Sequence, residues 1–153
     1  MGRGTQNYTC TSLTSSPVQQ GAVAVLYNAT RKAYYNETAL NELPPYAVYV
    51  ASLRLEVLGH HFFDSTGTPT FDLYSVNKIL YGSKTGDIKA PVTANKGPAG
   101  TGAVDWLQLT AKKGYPSIGL SVVYRVVTAG GQPSNCTFVG VMMVDYAAEY
   151  WFY

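Results

Sequence analysis

Alternation of apolar and polar positions is the most informative pattern along this chain. In the stretch SLRLEV, residues 52–57, leucine and valine occupy the odd positions, and serine, arginine and glutamate the even ones. Successive side chains of a strand point to opposite faces, so the pattern predicts a strand with one buried face. If that strand continues unbroken, His61 and Phe63 point inward and His60 points outward.

Other runs predict further strands and the turns between them. GAVAVLY, residues 21–27, is apolar on both parities, as in a strand covered on both faces. Later strand-like runs cover residues 78–82, 87–90, 105–111, 118–128, 137–144 and 145–153. Ser83–Gly86 resembles a hairpin turn, and Gly130–Pro133 predicts another turn. The helical signal is weak: one short turn is expected over 38–43, ended by Pro44-Pro45.

These runs predict an all-β fold of about seven or eight short, mostly antiparallel strands with little helix. At 153 residues the chain suits one domain with one core. We therefore expect residues 1–153 to form a single-domain β-sandwich or closed β-barrel.

The amino-acid composition limits the classes of binding partner and the cellular compartments that are plausible for this chain. Charged residues make up 13% of the chain against about 25% in an average domain, and 13 tyrosines are present. A surface rich in Ser, Thr, Gly and Tyr is typical of extracellular β proteins. The net charge of +2 is too small to indicate nucleic-acid binding. No run of 18 apolar residues occurs, so no membrane span is predicted.

Four Asn-x-Ser/Thr sequons favour a secreted, glycosylated protein, since about one is expected by chance from seven asparagines at this Ser/Thr content. The sequon asparagines are Asn7, Asn28, Asn36 and Asn135. The start, Met1–Gly4, lacks the basic and apolar regions of a signal peptide. Either the native signal peptide is missing from this sequence or the protein is cytoplasmic. The sequons favour the first, with an extracellular or cell-wall location.

The segment LEVLGHHFFDSTGTPTFDL, residues 55–73, contains the densest candidate chemistry. Adjacent strand residues face opposite ways, so two neighbouring histidines cannot bind one metal ion unless Gly59 introduces a bulge. Imidazole with carboxylate would suit zinc or copper. Three alternatives remain for His61: a hydrogen-bonded core residue, a metal ligand, or an acid–base group. The residues considered are His60, His61 and Asp64 for a metal, and His61 and Asp72 for another ligand.

Arg125 is the second candidate, because it lies in VVYRVVT on the same parity as Val123 and Val127. An arginine on an apolar strand face must be paired or reach solvent, since an unpaired buried charge is costly. Glu149 is the first expected partner and Asp105 the second. The alternative is that Arg125 anchors an anionic or carboxylate ligand.

Common catalytic and nucleotide-binding motifs are absent. GPAGTG, residues 97–102, has the wrong glycine spacing for a dinucleotide loop and precedes a strand-like run. No nucleophile elbow, P-loop or His-Glu-x-x-His motif is present. The tyrosines offer one further alternative, a platform on which sugar rings stack.

Five separated motifs resemble those of a secreted fungal and bacterial family known as domain of unknown function 3455. The motifs are GRGTQNYTC, GHHFFDSTGTPTFDL, VDWLQL, YRVVTAGGQPSNC and YAAEYWFY, and they span nearly the whole chain. Fungal members are often named malate dehydrogenase. The missing dinucleotide motif and the all-β pattern argue against that nucleotide-dependent activity here.

The resemblance implies export and a disulfide between Cys10 and Cys136, which lie in the matching Q-x-Y-x-C and P-x-x-C motifs. Family members usually begin with another apparent strand, so a first strand is expected to be missing here together with the signal peptide. Bacterial relatives have a G-x-H pattern, which matches His61 better than His60. The family has no established reaction to transfer.

The sequence therefore favours a secreted, glycosylated, disulfide-closed extracellular or cell-wall protein that binds carbohydrate or a small ligand, without catalysis. The first alternative is a metal-binding protein or metalloenzyme that uses His61 with a nearby carboxylate. The second is a metal-free hydrolase or isomerase built on His61, Asp72 or Arg125. No organic cofactor is predicted.

Overall fold

Each strand of the chain pairs with the next strand in the sequence, and the last strand returns to pair with the first. In the computed structural model, which describes residues 1–153, eight antiparallel strands form this closed ring. The strands are β1 (Gly2–Cys10), β2 (Val18–Tyr27), β3 (Val57–Phe63), β4 (Pro69–Leu73), β5 (Lys78–Ile88), β6 (Trp106–Ala111), β7 (Val122–Gly130) and β8 (Gly140–Phe152). The predicted all-β fold is confirmed, and of the two expected architectures it is the closed barrel.

β1 closes the barrel because it is paired on both sides. Gln6, at its centre, lies opposite Ala22 of β2 and Val144 of β8. Closure leaves no strand edge unpaired. The interior of an eight-stranded barrel is just wide enough for packed side chains or one small ligand, so the lumen is the first place to look for a binding site.

Strand alternation divides β8 between two hydrophobic clusters. Tyr146, Ala148 and Tyr150 belong to a cluster of 12 buried residues inside the barrel. Ala147, between them, belongs to a separate cluster on the outer face. The run YAAEYWFY is apolar on both parities because both faces of this strand are covered.

Three short helices between β2 and β3 provide the outer cover. They are α1 (Thr30–Tyr35), α2 (Glu37–Asn41) and α3 (Leu43–Ala47). Ala47 and Val48 pack in the outer cluster with Ala129 of β7 and Ala147 of β8. The helical turn expected over 38–43 forms as α2 and ends before Pro44-Pro45, but the further helix after it was not predicted. These prolines lie at the start of α3, where a proline loses no intrahelical hydrogen bond.

A hairpin at Ser83–Gly86 was also predicted wrongly. β5 runs unbroken through this segment, and the pairing with β6 shifts register between Lys84 and Gly86. A glycine in a strand often marks a bulge, and here the bulge keeps the strand paired where a turn was expected.

The remaining differences concern where strands begin and end. β3 begins only at Val57, and the expected continuous buried face of Leu53, Leu55, Val57 and His61 was wrong. The two leucines are half-buried against the outer cluster without belonging to a strand, and Val57 is exposed. The two predicted runs at the end of the chain form the single strand β8. β1 and β4 were not predicted, because they combine few large apolar residues with glycine, threonine and proline.

The predicted disulfide between Cys10 and Cys136 is formed, with Cα atoms 5.6 Å apart. It joins the end of β1 to the segment before β8 and lies in a small cluster with Tyr8, Met142 and Val144. Separately, none of the helices has the length and apolar character needed to cross a membrane.

Candidate functional site

A cavity of about 420 Å³ occupies the barrel lumen near the end where β2 begins. Its wall combines aromatic and aliphatic side chains with several polar groups, as small-molecule sites usually do. No aspartate or glutamate lines it. The apolar lining includes Phe63, Phe71, Leu107 and Leu109, and the polar lining is Gln6, Gln19, Gln20, His61, Lys84, Arg125 and Tyr150.

His61 is buried in this wall, in the middle of β3. Its ring stacks on Phe71, with centroids 4.1 Å apart, and its Nδ1 lies 2.9 Å from the backbone carbonyl oxygen of Thr70. A carbonyl oxygen only accepts hydrogen bonds, so Nδ1 carries the proton and Nε2 is left as an acceptor. Nε2 has no hydrogen-bond partner within the protein.

Burial lowers the pKa of His61 to about 4. The hydrogen bond to Thr70 acts against this shift, while the positive charge of Arg125 adds to it. The imidazole is therefore neutral at pH 7. A neutral ring in this tautomer offers the cavity one hydrogen-bond acceptor.

Arg125 projects into the same cavity from β7 and is only 7% exposed. Its Nε and Nη2 donate to the backbone carbonyl oxygen of Asp105, at 3.2 and 2.8 Å. The guanidinium takes part in no ion pair. A buried positive charge thus faces the lumen with neutral neighbours only: the Asp105 carbonyl oxygen and the Tyr150 hydroxyl.

The predicted ion pair between Arg125 and Glu149 is wrong. In the register of β7 and β8, Arg125 lies opposite Tyr150, and Glu149 lies opposite Val126. Arg125 and Glu149 therefore belong to opposite faces of the barrel wall. Asp105, the second expected partner, offers Arg125 its backbone only, because its carboxylate pairs with Lys89 at 3.1 Å.

The prediction that the side chains of Arg125 and Val127 lie on the same face of the strand was also wrong. Val127 has a φ of 45°, unusual for a β-branched residue, and the pairing with β8 shifts register between Val126 and Ala129. This bulge interrupts the alternation, so Thr128 becomes buried. The Thr128 hydroxyl donates to the backbone carbonyl oxygen of Val104.

Gln6 is a lumen residue that the sequence analysis missed. It is fully buried, and its Oε1 accepts a hydrogen bond from Nε2 of Gln19 at 3.1 Å. Its own Nε2 has no partner, which is uncommon for a buried donor. Gln6 could have been recognised because it alternates with Tyr8 and Cys10 on the buried face of β1. The glycines earlier in this strand made the alternation hard to see in the sequence.

Tyrosine hydroxyls complete the polar groups of the core. The hydroxyls of Tyr146 and Tyr150 are 3.0 Å apart, and burial raises the pKa of both, so they stay protonated. Lys84, at the cavity wall, is exposed and paired with Asp87. Arg125 is therefore the one cation of the lining without a carboxylate partner.

The other predicted site residues lie outside this cavity. His60 is exposed and sits across from Asp72 in the pairing of β3 and β4. The Asp64 carboxylate accepts hydrogen bonds from the backbone of Thr66 and Thr68 in the turn that follows β3. The structure contains no group of three or more His, Cys, Asp or Glu side chains that could hold a metal ion. The expected metal ligands are thus not brought together.

A second cavity, of about 480 Å³, lies at the opposite end of the barrel beneath α1. Its lining is almost entirely apolar and includes Leu26, Leu73 and Phe152. Glu149 also reaches it: one carboxylate oxygen accepts from Nε1 of Trp151 at 2.8 Å and the other has no partner. Burial raises the pKa of Glu149. None of the ligand-binding residues predicted from the sequence lines this cavity.

The surface carries the sequons and a group of exposed tyrosines. Asn28, Asn36 and Asn135 are exposed, and Asn7 is half-buried within β1. The exposed tyrosines of the helical segment are Tyr34, Tyr35, Tyr46 and Tyr49.

Comparison with known proteins identifies a family without a known activity. A family model described as "Protein of unknown function (DUF3455)" matches residues 1–153. No curated protein and no solved structure matches the chain.

Proposed function

We propose that this chain, which belongs to the DUF3455 family of proteins of unknown function, is a secreted, glycosylated protein that binds a small organic ligand inside its barrel. The lumen cavity near the start of β2 carries the proposal. Its volume of about 420 Å³ lies within the usual range of ligand sites. Its wall presents polar groups whose hydrogen-bonding capacity the protein itself leaves unused.

The geometry favours binding over catalysis. A histidine with a pKa of about 4 is a weak base at neutral pH. The Nδ1 of His61 is held by a backbone carbonyl, and no carboxylate in the lining is available to orient or charge the ring. The metal alternative has less support, because no carboxylate joins His61 in the cavity wall.

Carbohydrate binding on the outer surface is the second candidate. Tyr34 and Tyr35 are 81% and 75% exposed, and exposed tyrosine faces suit sugar rings. The lumen is preferred because it is concave and contains buried polar groups without partners.

The test is an NMR titration of isotope-labelled, disulfide-intact protein with benzoate, benzamide, glucose and N-acetylglucosamine. We expect at least one probe to shift the resonances of cavity-lining residues. Ala22 lines the cavity and its neighbour Val23 lies on the outer face, so Ala22→Leu should abolish the shifts and Val23→Leu should leave them intact. No lumen shift with any probe, or equal binding by Ala22→Leu, would overturn the proposal.

Glycosylation needs a separate test. The chain would be expressed behind a supplied signal peptide in a eukaryotic host, and its mass compared before and after glycosidase treatment. We expect a loss of mass on treatment, and one increment fewer in each single variant, such as Asn28→Gln or Asn135→Gln. An unchanged mass would contradict glycosylation.

A further inference from the structure

The lumen cavity has an unbalanced charge. Arg125 is 7% exposed, and an unpaired buried charge is strongly unfavourable. No aspartate or glutamate lines the cavity, and the neighbouring Lys84 is already paired with Asp87. His61 is neutral and the hydroxyl of Tyr150 stays protonated, so neither supplies a negative charge. The missing counter-charge is therefore the first property expected of a ligand.

Hydrogen bonding leads to the same conclusion. The Arg125 guanidinium has five N–H groups, of which two donate to the backbone carbonyl oxygen of Asp105 and one approaches the Tyr150 hydroxyl. Gln6 contributes a second buried donor, its unpartnered Nε2. Both residues line the same cavity. Unused donors of this kind fit a group that only accepts hydrogen bonds, and a carboxylate fits the planar fork of arginine best.

The remaining side chains of the cavity wall indicate the chemical character of the rest of the ligand. Phe63, Phe71 and Leu109 provide aromatic and aliphatic surface, and aromatic rings pack well against such walls. Nε2 of His61 offers an acceptor for a hydrogen bond donated by a hydroxyl group of the ligand.

From these features we infer that the lumen binds a small organic carboxylate with an apolar or aromatic body. The carboxylate lies on Arg125 and Gln6, and the body lies between the aromatic side chains. This inference rests on the proposed function and specifies the chemical class of its ligand.

The first experiment compares benzoate with benzamide, which has nearly the same shape and no charge. Dissociation constants would be measured by NMR titration of the disulfide-intact protein. Benzoate is expected to bind at least tenfold more tightly, because only the charged group balances Arg125. Equal affinity for the two compounds, or tighter binding of benzamide, would overturn the inference.

The second experiment alters the donors. Arg125→Met keeps an apolar side chain of similar length and removes the charge, and it should weaken benzoate binding at least tenfold. Gln6→Glu places a carboxylate in the cavity wall, so it should weaken benzoate binding at least tenfold and weaken the binding of the uncharged benzamide much less. Val23→Glu adds the same charge on the outer face as a matched control. Thermal unfolding of each variant reports whether it folds.

If Arg125→Met does not fold, Gln6→Glu still decides the matter. Unchanged benzoate binding in Gln6→Glu, relative to wild type and Val23→Glu, would overturn the carboxylate site. If glucose or benzamide binds in the lumen and benzoate does not, the carboxylate inference fails and the proposed function stands. If no probe binds in the lumen, both fail.

Discussion

At the scale of single residues, burial and the nearby charge of Arg125 together determine the protonation state of His61. His61 stacks on Phe71 and is neutral, and the charge of Arg125 helps to keep it so. If His61 became protonated, two positive charges would face one lumen that contains no carboxylate. Protonation of His61 at acid pH should therefore destabilise the folded barrel.

We predict that His61 destabilises the fold as the pH falls below about 6.5. Its pKa in the folded protein is about 4 against an ordinary value of 6.5, so the unfolded chain binds more protons in this window. The stability present above pH 6.5 is lost as the pH falls to about 4. The loss from this residue amounts to about 3 kcal/mol, because one pKa unit corresponds to about 1.4 kcal/mol.

Urea denaturation at pH 7 and pH 4 measures this effect. His61→Asn keeps an amide N–H near the Thr70 carbonyl and should lose about 3 kcal/mol less than wild type over the interval. His60→Asn is the matched control, since the exposed neighbour should behave as wild type. Equal pH dependence in wild type and His61→Asn would contradict the prediction.

Parity allowed the two histidines to be placed on opposite faces from the sequence. It did not allow the partner of Arg125 to be found, because that requires the register of β7 against β8. Gln6 was missed for a related reason: a polar residue on an inner face is informative only when the strand itself is recognised, and glycine and threonine obscure β1.

At the scale of elements, the close approach of β3 and β4 depends on Gly59. A Cβ atom at this position would lie 1.9 Å from the backbone carbonyl oxygen of Asp72. The glycine of the GHH motif therefore has a structural explanation that is independent of any metal. A substitution must push the two strands apart, since the obstacle is backbone.

Gly59→Ala is expected to destabilise the protein by more than about 3 kcal/mol, or to prevent folding. Gly67→Ala is the matched control: its φ is +75°, and no atom lies within 4 Å of the added Cβ. Backbone strain alone should cost it about 1–2 kcal/mol. Chemical denaturation would measure the free energy of unfolding of both variants. If Gly59→Ala were as stable as Gly67→Ala, the predicted steric clash between residue 59 and the backbone of Asp72 would be refuted.

Element boundaries show the limits of sequence reasoning. The β5 segment around Gly86 and the β7 segment around Val127 each contain a bulge, and bulges are set by the neighbouring strand. Local sequence favoured a turn in the first case and unbroken alternation in the second. The all-β class was predictable because it follows from local periodicity, whereas bulges follow from pairing. The expected number of strands agrees with the structure only because two missed strands, β1 and β4, are offset by β5 and β8, each of which was predicted as two runs.

At the scale of the whole molecule, the disulfide fastens the first strand to the segment before the last. Cys10 and Cys136 are 126 residues apart, so reduction releases a very long loop. In the chain-entropy model, closing a loop of this length contributes on the order of 5 kcal/mol. The family resemblance implied this pairing of cysteines. Because β1 pairs with β8 to close the barrel, the disulfide is expected to stabilise that closure.

We predict that the double variant Cys10→Ala/Cys136→Ala is about 3–5 kcal/mol less stable than the oxidised protein. Denaturation of wild type with and without reductant should give a similar difference. A change below about 1 kcal/mol in both experiments would show that barrel closure does not depend on the disulfide.

The lumen site is itself a property of the whole molecule. Gln6, His61, Arg125 and Tyr150 come from four different strands, and closure of the barrel brings them to one cavity. No local motif encodes such a site, which explains why the sequence offered single candidates without their arrangement.

Intermolecular NOEs between benzoate and the labelled protein test the central claim most directly, because they locate the bound probe. The account predicts NOEs from the benzoate ring protons to the Ala22 methyl group and the Phe71 ring, both of which line the lumen cavity. NOEs confined to outer-face groups, such as the exposed side chains of Val23 and Met143, would contradict a ligand site inside the barrel.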